Sequence, residues 1–268
     1  CYHNVCRTGG LTLIHGTAIV DPSAQLGENV EIGPYSIIGA DVVIGPGNKI
    51  GPHVVIQGPT SIGADNTFYQ FASIGEAPQD KKYAAEPTRL EIGDRNVIRE
   101  FCTINRGTIQ DAGVTRIGHD NWIMAYVHIA HDCSIGNHTV FANSATLAGH
   151  VTVEDYAILG GFTLVHQFCT VGARCFTAMN SVISKDVPPF MMVSGHMAKP
   201  YGLNTEGLKR AGFSSDDINQ LRRVYKILYR SGNTLEQAIT VLKDMENANV
   251  HTRQLAEFLG KSKRGIIR

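Results

Sequence analysis

Large apolar residues recur every six positions along most of this chain. Stepping by six from Ile14 gives Val20, Leu26, Ile32, Ile38, Ile44, Ile50, Ile56, Ile62, Phe68 and Ile74. The column resumes at Ile92, Ile98 and Ile104. One residue out of step, it continues from Ile117 through Ile123, Ile129, Ile135, Phe141, Leu147, Val153, Leu159, Val165 and Val171 to Thr177 and Ile183. Thr177 is the one polar member. A helix repeats every 3.6 residues and a strand every 2, so neither demands six. A hexapeptide period is that of a parallel β-helix, in which each hexad is a short strand plus a turn and three hexads close one triangular coil of 18 residues. The apolar residue points into the prism. The Gly that often follows it, as in Ile32-Gly33 and Ile44-Gly45, is expected to supply unusual φ/ψ at the corner. The hexads make about nine coils, a prism near 40 Å long at the usual strand spacing of about 4.8 Å.

Strictly hexameric repeats resemble those of the left-handed β-helix, an exception to the right-handed crossover rule. Two stretches break the period, "GEAPQDKKYAAEPTRLE" (75–91) and "NRGTIQDAGVTR" (105–116). Neither fits inside the prism, so both are expected to protrude as loops, where function concentrates. The repeat ends at Pro188-Pro189, because proline cannot continue the ladder. Helical signals follow. Ser214 or Ser215 caps a helix with Asp216 and Asp217 in its first turn and an apolar stripe of Ile218, Leu221, Val224, Tyr225 and Leu228. Thr234 caps a second helix with Leu235, Ile239 and Leu242, and a third runs near Leu255, Phe258 and Leu259. The expected organisation is a β-helix over 11–190 and a small helical domain over 191–268.

Candidate chemistry is concentrated on the prism. His128, His131, Asp132, His138 and His150 fall within one to two coils, and His166 follows. With 18 residues per coil, His131, Gly149 and Gln167 share one column, and Asp132, His150 and Phe168 the next. A His one strand spacing from a glycine N–H, with an Asp–His pair alongside, offers a general base and an oxyanion donor. Lone surface histidines are usually only solvated, but this number in one region is harder to dismiss. No nucleophile elbow is present, so direct attack by a substrate hydroxyl is the natural chemistry.

Composition changes the picture in two places. Charge is balanced overall, but residues 1–199 hold 12 Lys+Arg against 17 Asp+Glu, whereas residues 200–268 hold 12 against 7. The basic C-terminal third is either a solvated helical surface or a site for an acidic partner. The six cysteines, Cys1, Cys6, Cys102, Cys133, Cys169 and Cys175, form no CxxC pair, which argues against a zinc ribbon and for reduced thiols in the cytoplasm. No apolar run reaches membrane-spanning length and no signal peptide is visible. The opening "CYHNVCRTGG" carries no start Met and no pattern, and contributes nothing to the fold reading.

"VHIAHDC", "TLAGHV", "LVHQFC", "YQFASIG", "QDKKY", "IGDRNVIRE" and "NTEGLKRAGF" resemble the UDP-N-acetylglucosamine 3-O-acyltransferases of lipid A biosynthesis. The resemblance spans about residues 12–268, including "RGIIR" at the C-terminus. It implies transfer of an (R)-3-hydroxyacyl group from acyl carrier protein to the glucosamine 3-hydroxyl, no cofactor or metal beyond the carrier's phosphopantetheine, and a homotrimer with active sites between prisms. It makes His131 the base, Asp132 its dyad partner and Gly149 the oxyanion donor. Asp80 and Lys82 become sugar-binding, and His128, His150, His166 and Gln167 line the pocket. Asn204, Glu206 and Arg210 become nucleotide-binding. Met179 takes the position that limits the acyl groove, which implies a donor nearer ten carbons than fourteen. Asn105 replaces a pocket His and Ala211 an Arg aimed at phosphate. The basic tail gains a candidate partner in the acidic carrier, with Lys209, Arg210, Arg222, Arg223, Lys226 and Arg230 as the patch.

Three other readings share the prism. The sister N-acyltransferase of the pathway carries an N-terminal uridine-binding domain, for which a repeat beginning at Ile14 leaves no room. A zinc hydratase of the γ-carbonic-anhydrase kind would use His131, His150 and His166 as ligands. A non-catalytic scaffold would explain neither "QDKKY" nor the helical tail.

Overall fold

The computed structural model describes residues 2–7, 10–245 and 248–268, with the side chains of the N-terminal residues up to Leu11 outside the description. Its repeating strands are two to four residues long and stack in parallel into three sheets, the faces of a triangular prism; one sheet also carries an antiparallel pair at each end, Tyr2–Arg7 with Gly10–His15 and Met191–Ser194 with Lys199–Leu203. One sheet has 12 strands, one 8 and one 9, and strands pair at a register of one coil: Ile32 with Ile50, Ile38 with Ile56, Ile129 with Leu147. The chain is a left-handed parallel β-helix followed by a helical region. The six-residue column forms the core, with Ile32, Ile56, Ile74, Ile104, Ile123 and Leu159 fully buried. Thr177 is buried too, and its hydroxyl is satisfied by the Thr163 hydroxyl at 2.7 Å. A buried polar group with a partner costs little, so the exception in the column leaves the coil intact.

The corners correct one expectation. Left-handed φ occurs at six-residue intervals, but not at the Gly after each apolar residue. It falls two positions further on, at Asn29, Tyr35, Asp41, His53, Tyr126, Asp132, His138, Ser144, His150 and Phe168, with φ between 54° and 64°. The Gly is required for a different reason: a Cβ on Gly33 would lie 2.8 Å from the Gly51 carbonyl carbon of the next coil. Close approach of stacked backbones, not φ, excludes side chains there. The position before each left-handed residue stands outside the hydrogen-bond ladder. Proline therefore occupies it at Pro34, Pro46 and Pro52 without leaving a carbonyl short of a donor.

Both breaks in the period are loops between paired strands. Ile62 pairs with Ile92 and Ile92 with Ile117, so each insertion is absorbed without disturbing the stack. The two loops are fastened to each other. Asn105 Nδ2 donates to the Ala77 carbonyl at 2.8 Å, and Arg106 donates to the Gly75 carbonyl at 2.6 Å and to the Tyr83 hydroxyl at 3.2 Å.

Beyond Pro189 the chain does not turn helical at once. Strand Met191–Ser194 continues the prism, pairing in parallel with Phe176–Thr177, and Lys199–Leu203 folds back on it. Helices α1 (Thr205–Arg210), α2 (Ser215–Tyr229), α3 (Leu235–Lys243) and α4 (Val250–Lys261) follow. Ser214 and Thr234 form capping boxes with Asp217 and Gln237, and Ile218, Leu221, Val224 and Leu228 make the buried stripe of α2. The C-terminus returns to the prism. Asp186 accepts from the Ser262 hydroxyl and from the Ile267 N–H, and its own N–H donates to the Gly265 carbonyl. Cys102, Cys133, Cys169 and Cys175 are free and buried, and desolvation pushes the Cys133 thiol up to about 12. Cys1 and the side chain of Cys6 lie outside the described residues. Among the described residues no helix is long and apolar enough to cross a membrane.

Candidate active site

Corner geometry places the candidate groups. Asp132 and His150 are left-handed corner residues one coil apart, and His131 and Gly149 precede them at the position without a ladder bond. The His131 ring lies over Gly149: a Cβ on that residue would sit 2.8 Å from His131 Nε2. Among the described residues no acceptor takes the Gly149 N–H, although the residue is buried. An unengaged buried N–H beside an imidazole is a ready donor for developing negative charge.

His131 Nδ1 and Asp132 Oδ2 are 2.8 Å apart, and the Asp132 side chain is almost wholly buried. A carboxylate accepts only, so the proton of this bond is on Nδ1, and Nε2 is the nitrogen left for other partners. Asp132 is itself held by the 105–116 segment, from its loop and from the strand Val114–Ile117. Its oxygens accept the Thr108 hydroxyl at 2.6 Å and the Thr108 N–H at 2.9 Å, and its own N–H donates to the Thr115 hydroxyl at 2.8 Å. Desolvation raises the Asp132 pKa, but hydrogen bonds from His131 and Thr108 outweigh it and leave the carboxyl below its ordinary value. The Asp132 carboxylate is therefore firmly ionised and holds the Nδ1 edge of the His131 ring.

His150 packs edge-on against His131, with ring centroids 5.1 Å apart, and stacks on Phe168 at 4.4 Å. Its Nδ1 bonds Asp111 of the loop at 2.9 Å. His128 Nδ1 bonds the Thr103 hydroxyl at 2.7 Å, and burial, aided by nearby His131, lowers its pKa. The structure thus unites His128, His131, Asp132, Gly149 and His150 and adds Thr103, Thr108, Asp111 and Thr115, which the column rule could not reach.

The remaining expected residues lie apart from that cluster. Asp80 and Lys82 sit on the 75–91 loop, where Asp80 Oδ1 accepts the Lys82 N–H at 3.0 Å and the Lys82 side chain is exposed. His166 and Gln167 are exposed one coil beyond Gly149, and the His166 ring meets the Gln167 carbonyl at 3.2 Å. Asn204 caps α1, accepting from the Gly207 N–H while its Nδ2 donates to the Arg174 carbonyl. Glu206 pairs with Lys209 at 2.9 Å, and Arg210 is exposed beside Ala211, the C-cap. Met179 is 73% exposed. Donor atoms of His131, Asp132 and His150 all lie within 4.8 Å of one another, a set that could hold a metal ion; His166, the third ligand of the zinc reading, is not in it.

Comparison with known proteins bears on the family and the fold. The family model described as "Udp N-acetylglucosamine O-acyltransferase; Domain 2" matches residues 186–267, and the bacterial transferase hexapeptide model matches 115–149. The acyl-[acyl-carrier-protein]–UDP-N-acetylglucosamine O-acyltransferase of Thiobacillus denitrificans is 61% identical over 258 residues, covering 96% of this chain and 100% of its own. This chain belongs to that acyltransferase family. The Janthinobacterium member is 62% identical over 262 residues, with the same coverage. Among solved structures, the Francisella novicida UDP-N-acetylglucosamine acyltransferase superposes with a TM-score of 0.93 at 43% identity, covering 95% of this chain and 94% of its own. LpxA from Acinetobacter baumannii gives 0.93 at 47%, covering 95% and 99%. The two family models fall one on the prism and one on the C-terminal region.

Proposed function

We propose that this protein moves an (R)-3-hydroxyacyl group from acyl carrier protein to the 3-hydroxyl of UDP-N-acetylglucosamine, the first step of lipid A biosynthesis, in the cytoplasm. The observation that carries the reading is the His131 ring stacked over Gly149 with Nδ1 held by Asp132. In this reaction His131 Nε2 takes the proton of the sugar hydroxyl as its oxygen attacks the thioester carbonyl. Gly149 N–H holds the oxyanion, and Asp132 stabilises the imidazolium. Collapse breaks the C–S bond, and the imidazolium returns its proton to the departing phosphopantetheine thiolate.

Asp80 and Lys82 bind the sugar in this scheme, with His128, His150, His166 and Gln167 lining the pocket and Asn204, Glu206 and Arg210 toward the nucleotide. His166, Gln167 and Met179 are open to solvent in the single chain, which suits a cleft completed by a second subunit. Tyr35, His53, Phe71, Phe101 and Tyr126 form a stacked ladder with centroids 4.9–5.3 Å apart, and its four larger rings are 43–59% exposed. An uncovered aromatic strip of this length supports assembly, here as a homotrimer. Arg222, Arg223, Lys226 and Arg230 are exposed along α2 and would meet the acidic carrier.

The test is an acylation assay with UDP-N-acetylglucosamine and a panel of 3-hydroxyacyl carrier proteins, read by mass spectrometry. The expected product is the 3-O-acylated nucleotide sugar. No product with any donor, or a requirement for stoichiometric zinc, would overturn the reading.

A further inference from the structure

The 105–116 loop grips two adjacent coils of one corner. Thr108 holds Asp132, and Asp111, three residues further along, holds His150. The loop is braced for this, with the Gly113 N–H donating to the Thr108 carbonyl at 3.1 Å and the Arg89 N–H to the Gly113 carbonyl at 3.0 Å. The Asp111 side chain is 54% exposed, and a surface carboxylate near a histidine commonly contributes little. His150 differs from an ordinary surface partner. Its side chain is 12% exposed, one face lies on Phe168, and its edge meets His131. The ring plane is fixed by that packing, so what remains free is which nitrogen points inward.

Asp111 decides it. A carboxylate at 2.9 Å requires Nδ1 to carry a proton, which turns Nε2 toward Asp132 Oδ2, 3.8 Å away. We propose that Asp111 is a positioning residue for the acyl acceptor: from the loop it sets the His150 ring so that Nε2 faces the His131–Asp132 pair and receives a donor group, a hydroxyl or amide N–H, of the incoming sugar nucleotide. The inference rests on the reading of this cleft as the acyl-transfer site.

The experiment compares Asp111→Ala, Asp111→Asn, His150→Ala and the Asp111→Ala/His150→Ala double variant in steady-state kinetics. Asp111→Ala should raise KM for UDP-N-acetylglucosamine about tenfold, the scale of one lost charge-assisted hydrogen bond, with kcat and the carrier KM little changed. Asp111→Asn keeps an acceptor oxygen and should rescue. Asp111→Ala should add nothing in the His150→Ala background, which a purely structural role for the loop would not produce. A wild-type KM in Asp111→Ala, or an undiminished effect without His150, overturns the proposal. A second readout is independent of turnover: imidazole NMR of the full chain should show His150 as the Nδ1–H tautomer in wild type and lose that preference in Asp111→Ala. An unchanged tautomer also overturns it, whatever the enzyme's substrate proves to be.

Discussion

The imidazole of His131 occupies the space in which a side chain on Gly149 would begin. A Cβ there would lie 2.5 Å from Cε1 and 2.8 Å from Nε2, closer than real contacts allow. Gly149→Ala must therefore displace the ring from its place beside the Gly149 N–H. We expect kcat to fall about a hundredfold or more, the cost of misplacing one oxyanion donor. Gly161→Ala is the control, since its Cβ would come no nearer than 3.4 Å to the Asn143 carbonyl. Turnover and melting temperature of both variants check this; a fully active Gly149→Ala would show that the ring can move without consequence.

His128 gives a dependence on pH. Burial holds its pKa below the ordinary 6.5, with His131 adding to the effect. The unfolded chain therefore binds a proton more readily than the folded one as pH falls through 6.5. Stability from this residue is complete above that value and is lost as pH drops toward the folded pKa. His128→Gln should flatten the acid side of the profile. Urea midpoints measured at about pH 8 and about pH 5.5 should converge more in the variant than in wild type. Equal slopes would mean that His128 does not titrate differently on folding.

The prism and most of the helices are legible in the sequence because they obey fixed periods. The 18-residue coil puts His131 beneath Gly149, and Asp132 beneath His150, without any coordinates. The same rule fails at Thr108 and Asp111, since an insertion has no register and its side chains reach the site through space. The Gly of each Ile-Gly pair is visible, but its cause is not, because close approach between coils is a property of the stack. The hairpin over 191–203 gives no clean alternation, since one strand extends the prism and the other lies partly in solvent. Asn204 shows what the sequence leaves hidden: it suits a nucleotide contact, and in the fold the same side chain also caps α1, a role its position alone does not reveal.

The basic face of α2 should govern the carrier. Charge reversal at Arg222 and Arg223 should raise the KM for acyl carrier protein and leave that for UDP-N-acetylglucosamine unchanged. Carrier affinity should also weaken with salt across the physiological range, where the Debye length is about 8 Å. An unchanged carrier KM in the double variant would leave the patch as solvated surface.

Met179 should set donor length. Its side chain occupies space equivalent to three or four acyl methylenes, each of which contributes about 0.8 kcal/mol when buried. Forcing extra length past that side chain, once a second subunit covers it in the proposed cleft, costs roughly 1–3 kcal/mol more. Wild type should prefer a donor nearer ten carbons, and Met179→Gly should shift toward fourteen. Equal preference for the long donor in both proteins would remove Met179 as the determinant.

The most direct test of the account is the kcat of His131→Ala with UDP-N-acetylglucosamine and a saturating 3-hydroxyacyl carrier, alongside a melting curve that confirms folding. Loss of the general base predicts a fall of about 10²–10⁴-fold with the fold retained. Turnover near wild type in a folded His131→Ala protein would contradict it.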